Sequence, residues 1–201
     1  MIQTITFFLS STILIATPII LAGLGIVFSE RAGIVNVGVE GIMLVGALMG
    51  VVGSWKTGSA FLGAIVAMVA GVVMALVFAV LTVRIRANQV VVGLSMNIFA
   101  GGFTVVLNRT LFGVSGNASR LSTFDLAPIP WLEKIPVFGE AIFSQPIPVY
   151  LMFLLVPLLQ IFMSRTNTGL KIRAVGENPE ACDSLGINVL HVRSLSILYS
   201  G

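Results

Sequence analysis

Few side chains in this sequence could perform bond chemistry, and those few are not arranged for it. One histidine (His191), one cysteine (Cys182) and eight Asp and Glu residues are spread over 201 positions. Neither an intrachain disulfide nor a cysteine-only zinc site can form, and no metal site is expected. His191 and the two aspartates lie in loop sequence with no nucleophile motif beside them, so a Ser-His-Asp set is absent. A phosphate-binding loop needs Gly directly before Lys-Ser/Thr so that backbone amides can cradle phosphate, whereas the lone Lys-Thr pair, Lys56-Thr57, follows Trp55. No catalytic residue and no cofactor of its own is assigned to the chain.

What remains are polar residues inside apolar sequence. Asn97 shares a partly polar stretch with Gly93, Ser95 and Gly101, and Asn88 and Gln89 stand at its mouth. An amide buried in lipid needs partners, so Asn97 either bonds a neighbouring helix or lines a wet path. Glu40 is either a loop carboxylate near Arg31 or an acid at membrane depth, which would make it a functional candidate. Asn36, Glu40, Asn88, Gln89 and Asn97 are the candidates to line such a path.

The elements that must position them follow from composition. The chain is 57% hydrophobic and 9% charged, with a net charge of +3, where soluble domains run about 45–50% apolar and about 25% charged. The bilayer is therefore the main solvent. Three excess charges scattered over short clusters make no basic face, which excludes nucleic acid as a partner.

Charge-free length locates the spans. Residues 5–28, 60–83, 90–107 and 149–163 each read as a crossing, the last one short and carrying Pro157. Residues 41–54 reach only about 21 Å as a helix and must borrow from 33–40 to cross roughly 30 Å. That borrowed piece holds Asn36 and Glu40 and is rich in glycine, so a broken or re-entrant helix is expected at 29–41. The expected fold is an all-α, polytopic transmembrane helix bundle of about five complete spans, with the start of a sixth at 195–201. It forms a single transmembrane domain over 1–201.

Seven Lys and Arg fall on one side (Arg31, Arg84, Arg86, Arg165, Lys171, Arg173, Arg193) and four on the other (Lys56, Arg109, Arg120, Lys134). The positive-inside rule places the first group in the cytoplasm and the N-terminus outside. Residues 108–148 then form an extracytoplasmic loop with five prolines, among them Pro128, Pro130 and Pro136, interleaved with Trp131, Phe138 and Phe143. It is either an interfacial lid or a docking surface. Small residues at Gly63, Ala67, Gly71, Ala75 and Ala79, and at Gly46 and Gly50, read as helix-packing stripes.

The cytoplasmic loop 164–193 is the most informative segment. Asn178-Pro179-Glu180 is a compact helix start, with a cap, a proline suited to the first helical position and an acid that complements the dipole. Gly186 supplies the stop. A helix of about seven residues, 179–185, is expected between two membrane spans, either as a mechanical handle or as an ordinary interfacial turn.

These residues resemble a known family. TGLKIRAVGENPEACDSLGI, residues 168–187, is similar to the cytoplasmic coupling segment of ABC importer inner-membrane permeases of the ribose and branched-chain amino acid class, through Gly169, Arg173, Ala174, Gly176, Asn178, Ala181 and Gly186-Ile187. SERAGIVNVGVEGIMLVGA, residues 29–47, resembles the subgroup that imports nucleosides or simple sugars. The resemblance implies a non-enzymatic subunit in a bacterial plasma (inner) membrane, in contact with membrane lipid. It implies three partners: a cytoplasmic ABC ATPase subunit that binds the ATP, a second permease subunit, identical or homologous, and an extracytoplasmic solute-binding protein. Gly176, Glu177, Asn178, Pro179, Glu180, Ala181 and Gly186 would form the ATPase-coupling element. Members of that family continue through further spans, so the chain reads as C-terminally truncated. The alternatives are an ion-coupled secondary transporter that uses Glu40 or Asn36 at a discontinuous helix, and a membrane scaffold.

Overall fold

The computed structural model describes residues 2–113, 122–127 and 138–201. Its ordered elements are helices: α1 (Ile2–Arg31), α2 (Val39–Thr57), α3 (Ala60–Ala79), α4 (Gln89–Phe112), α5 (Phe138–Phe143), α6 (Ile147–Arg165), α7 (Asn167–Glu177), α8 (Pro179–Ser184) and α9 (Val189–Ser200). A π-helical turn, Val80–Arg84, extends α3. Among the described residues, five helices are long and apolar enough to cross a membrane: Gln3–Arg31, Val39–Thr57, Ala60–Arg84, Gln89–Phe112 and Ile147–Arg165. The protein is an all-α, multi-pass membrane bundle. Helices suit lipid because they satisfy every interior backbone group within one segment.

The break expected at 29–41 falls between helices rather than inside one. α1 runs on to Arg31, and α2 is already helical at Val39 and continues to Thr57. Nineteen residues of α2 measure about 28 Å, close to the hydrocarbon thickness, so α2 needs only Val39 and Glu40 from the borrowed piece. The seven residues 32–38 form a non-helical link. The connection 164–193 holds, besides the short helix expected at 179–185 and seen as α8, a further helix α7 and the start of α9. Thr166 caps α7 by accepting from the Gly169 N–H at 3.1 Å.

The chain divides into two compact units, one from Met1–Leu24 and Phe124–Ile161 and the other from Gly25–Thr123 and Phe162–Gly201. In the first, Gln145 is 2% exposed and donates to the Ala141 carbonyl at 2.7 Å and the Ser10 hydroxyl at 2.8 Å. The Tyr150 hydroxyl donates to the Ala127 carbonyl at 3.1 Å, and an isolated bridge pairs Leu126 with Pro146. Thus Leu126 and Ala127 are tied to the start of α6. Pro128, Pro130, Trp131 and Pro136 lie outside the described residues.

In the second unit, the small-residue stripe of α3 serves two neighbours. At Gly63 a β-carbon would stand 2.7 Å from the Gly50 carbonyl and 2.9 Å from the Ser54 side chain, so α2 lies directly on that end. Gly71 and Ala75 meet Gly201, which follows α9. The core beside this contact is Ile34, Ile42, Ala75, Phe78, Ala79, Val83, Val92, Met96 and Ile197. Phe28, Phe162 and Tyr199 form a ring cluster with centroids 5.5–6.4 Å apart, joining α1, the end of α6 and α9.

Candidate functional site

The link 32–38 is an irregular stretch of backbone in which Ala32, Ile34, Asn36 and Gly38 are buried, and buried backbone groups need partners. Protein groups supply them. Ala32, Gly33 and Ile34 donate back to carbonyls in the last turn of α1 at 2.9–3.1 Å, with Gly33 in a left-handed conformation at φ 78°. The Val35 N–H donates to the Gln89 side chain at 2.9 Å. The Val37 carbonyl accepts from Asn97 at 3.1 Å, and Gly38 N–H donates to the Asn36 side chain at 3.1 Å. Asn97 accepts in return from the Gly41 N–H at 2.8 Å.

These partners follow from helical spacing. Gln89, Gly93 and Asn97 recur every four residues, so they lie on one face of α4. The link runs along that face. At the middle position a side chain has no room, since a β-carbon on Gly93 would stand 2.8 Å from both Gly38 N and the Val37 β-carbon. Asn97 reaches across to replace a missing cap: Gly38, at the N-cap of α2, offers no side chain, and Gly41 N–H is one of the donors that a helix start leaves without an intrahelical partner.

The other side of the link is held by α9. Asn36, 4% exposed, donates to the Ser200 hydroxyl at 3.2 Å. Arg193 donates from Nε to the Ala32 carbonyl at 3.2 Å. α7 presses on the same place, because a β-carbon on Gly176 would overlap the Arg31 carbonyl and stand 3.2 Å from Gly33 N. The two sequence stretches that carried the family resemblance, 29–47 and 168–187, therefore pack on each other.

The remaining solute-path candidates are placed differently. Asn88 caps α4, accepting from Val90 and Val91 N–H at 3.0 and 3.3 Å. Glu40 is exposed in the first turn of α2, next to the Asn97–Gly41 bond. Ser95 bonds its own helix at the Val91 carbonyl and is exposed, and Gly101 faces open space. A groove of about 440 Å³ between α2, α3 and α4 is lined by Val45, Met49, Ile65, Val69, Phe99 and Phe103 among others, and has no polar side chain to grip a hydrophilic solute. Arg193 and Ser200 were not singled out in the sequence. The available signal was Ser196 and Ser200, spaced four apart in an otherwise apolar run.

The coupling-segment candidates form a helix closed at both ends. Asn178 accepts from Ala181 N–H at 3.0 Å while its own N–H ends α7 on the Ala174 carbonyl at 2.9 Å. Pro179 takes the first helical position and Glu180 the first turn. At the far end Ile187 N–H bonds the Cys182 carbonyl at 3.0 Å and Gly186 N–H the Asp183 carbonyl at 2.9 Å, with Gly186 at φ 79°. This paired closure around a left-handed glycine is a Schellman motif, and it places Leu185 at the cap rather than in the helix. Cys182 turns inward, whereas Glu177, Glu180, Ala181 and Asp183 are exposed and Leu185 is 80% exposed. Among the described residues, no group of three or more His, Cys, Asp or Glu is placed to hold a metal.

Comparison with known proteins gives the family. Residues 8–201 match the family described as branched-chain amino acid transport system / permease component. Over 197 residues the chain is 39% identical to the putative glucose ABC transporter permease protein TsgC13 of Haloferax volcanii, covering 96% of this chain and 58% of the relative. It is 34% identical to the guanosine ABC transporter permease protein NupQ of Bacillus subtilis, and 35% identical to the nucleoside ABC transporter permease protein NupC of Lactococcus lactis. Both comparisons cover 100% of this chain and 65% of the relative. The chain thus spans less than two thirds of the length of these relatives. No solved structure matches the chain significantly. With 194 consecutive positions matched, residues 8 to 201, and both motifs packed into one junction, the chain belongs to the branched-chain amino acid transport system permease family.

Proposed function

We propose that the protein is the membrane-spanning permease subunit of an ATP-driven importer in a bacterial inner membrane, and that it translocates nucleosides or simple sugars. A cytoplasmic ATPase subunit binds and hydrolyses the ATP and docks on Glu177–Leu185. A second permease subunit, identical or homologous, completes the pathway, and an extracytoplasmic binding protein delivers the solute. Asn36, Glu40, Asn88, Gln89 and Asn97 lie at or beside the cytoplasmic end of the pathway.

One observation carries the reading. α8 is capped at both ends, short, and exposes Leu185 and four neighbouring side chains on the positively charged side of the bundle. A short helix already fixed by its caps is pre-organised for docking, because little conformational freedom is lost when a partner binds it. The relatives' names support the solute class, since guanosine and glucose are both polar and rich in hydroxyl groups.

Coexpression with the cognate ATPase tests it. A stable complex should form with the full-length permease and be lost on deletion of 177–185. Retention of both complex and ATP-dependent uptake after that deletion would sink the proposal. Uptake by the permease alone under an ion gradient would favour a secondary carrier instead.

A further inference from the structure

We infer that the link 32–38 is the element that carries movement of the cytoplasmic segment into the membrane helices, with Gly176 as its thrust contact and Arg193, Asn36 and Ser200 as positioning residues. The inference rests on the docking role proposed above and extends it from where the force enters to the route it takes.

Three features of the junction support that route. The first is stiffness at the entry point. Gly176 meets Arg31 and Gly33 backbone to backbone, with no side chain between them to bend. Packed interiors transmit strain because they compress little, so a shift of α7 moves the link. The second is grip. α9 leaves α8 after a short connection and holds the link twice, at Ala32 through Arg193 and at Asn36 through Ser200. These two hooks are two turns apart on the helix, which spans about 10 Å.

The third feature is the exit. On its other side the same link is bonded to Gln89 and Asn97 of α4, and Asn97 also holds the first turn of α2. All its neighbours are helices and the link is not. A short non-helical segment at helix ends is where backbone angles change in hinge movements. Leaving a part-buried hydrogen-bonding group without its partner costs free energy, so the bonded partners move with the link rather than past it. A direct route from α9 to α3 also exists through Gly71 and Ala75, and the experiment must separate the two.

The test uses the full-length permease reconstituted in proteoliposomes with its ATPase and binding protein. Solute taken up per ATP hydrolysed and ATPase co-purification are measured for Ser200→Ala, Asn36→Ala, the double variant and Ser200→Thr. The expected result is a fall in uptake per ATP on the order of tenfold for Ser200→Ala, with the ATPase still bound. Asn36→Ala should add little on top of it, and Ser200→Thr, which keeps the hydroxyl, should restore most of the loss. Unchanged uptake per ATP in both single variants would overturn the inference and leave the α9–α3 route. Loss of ATPase binding in Ser200→Ala would overturn it as well, because the residues would then hold the docking segment together instead of relaying its movement. Absence of ATP-dependent uptake in the unmodified complex would remove the docking reading and this inference together.

Discussion

Gly176 of α7 lies against the carbonyl of Arg31 so closely that a β-carbon on the glycine would overlap the oxygen. Two stretches of chain about 140 residues apart meet there without an intervening side chain. That contact joins α7 to the start of the α1–α2 link.

Gly176→Ala must therefore push α7 away from the link, since neither obstructing atom belongs to a flexible side chain. Overpacking of this kind costs about 1–3 kcal/mol. The expected outcome is a clear drop in thermal stability in detergent or nanodiscs. Gly101→Ala is the matched control, because Gly101 is helical with nothing within 4 Å, and it should be neutral or slightly stabilising by helix propensity, about 1 kcal/mol at most. Equal stability of the two variants would refute the contact.

Asn97→Ala removes two hydrogen bonds at once. The Val37 carbonyl and the Gly41 N–H lose the partners they have at 3.1 and 2.8 Å, and each buried group left unsatisfied costs about 1–3 kcal/mol. Amide hydrogen exchange at Gly41 should accelerate strongly. Ser95→Ala, two residues away and bonded only within its own helix, should change stability by no more than about 0.5 kcal/mol. Slow exchange at Gly41 in Asn97→Ala would show that the clamp lies elsewhere.

Leu185→Asp and Gly186→Ala separate docking from folding. Leu185 is 80% exposed, so a charge there should leave the melting temperature of the permease unchanged while abolishing ATPase co-purification. Gly186 has φ 79° and open space around it, so alanine meets only backbone strain, about 1 kcal/mol or more. That strain should fray the end of α8 in hydrogen exchange and weaken ATPase binding in proportion. Normal ATPase binding by Leu185→Asp would remove this tip from the interface.

The crossings were legible in the sequence because lipid imposes a simple requirement, a charge-free run of sufficient length, that does not depend on what packs beside it. The helix start at Asn178-Pro179 and the stop at Gly186 were legible for a similar reason, since caps satisfy local backbone groups with local side chains. α7, Asn167–Glu177, was not legible, because the charges of 164–193 set it apart from the apolar crossings and say nothing for or against a polar helix.

The sequence by itself also marked Asn36, Gln89 and Asn97 as polar groups in apolar surroundings, and a polar group in lipid must find a partner. It could not name that partner. Asn97 was open between a neighbouring helix and a wet path, and only the tertiary structure decided that its amide holds the backbone at Val37 and Gly41. The same holds for Gly176 and Ser200, whose importance comes from chain segments far away in sequence. Their roles depend on close approach and hydrogen-bond pairing across roughly 140 to 160 residues, which helical periodicity and composition do not encode, because both describe how a residue relates to its own helix and solvent rather than to the element folded against it.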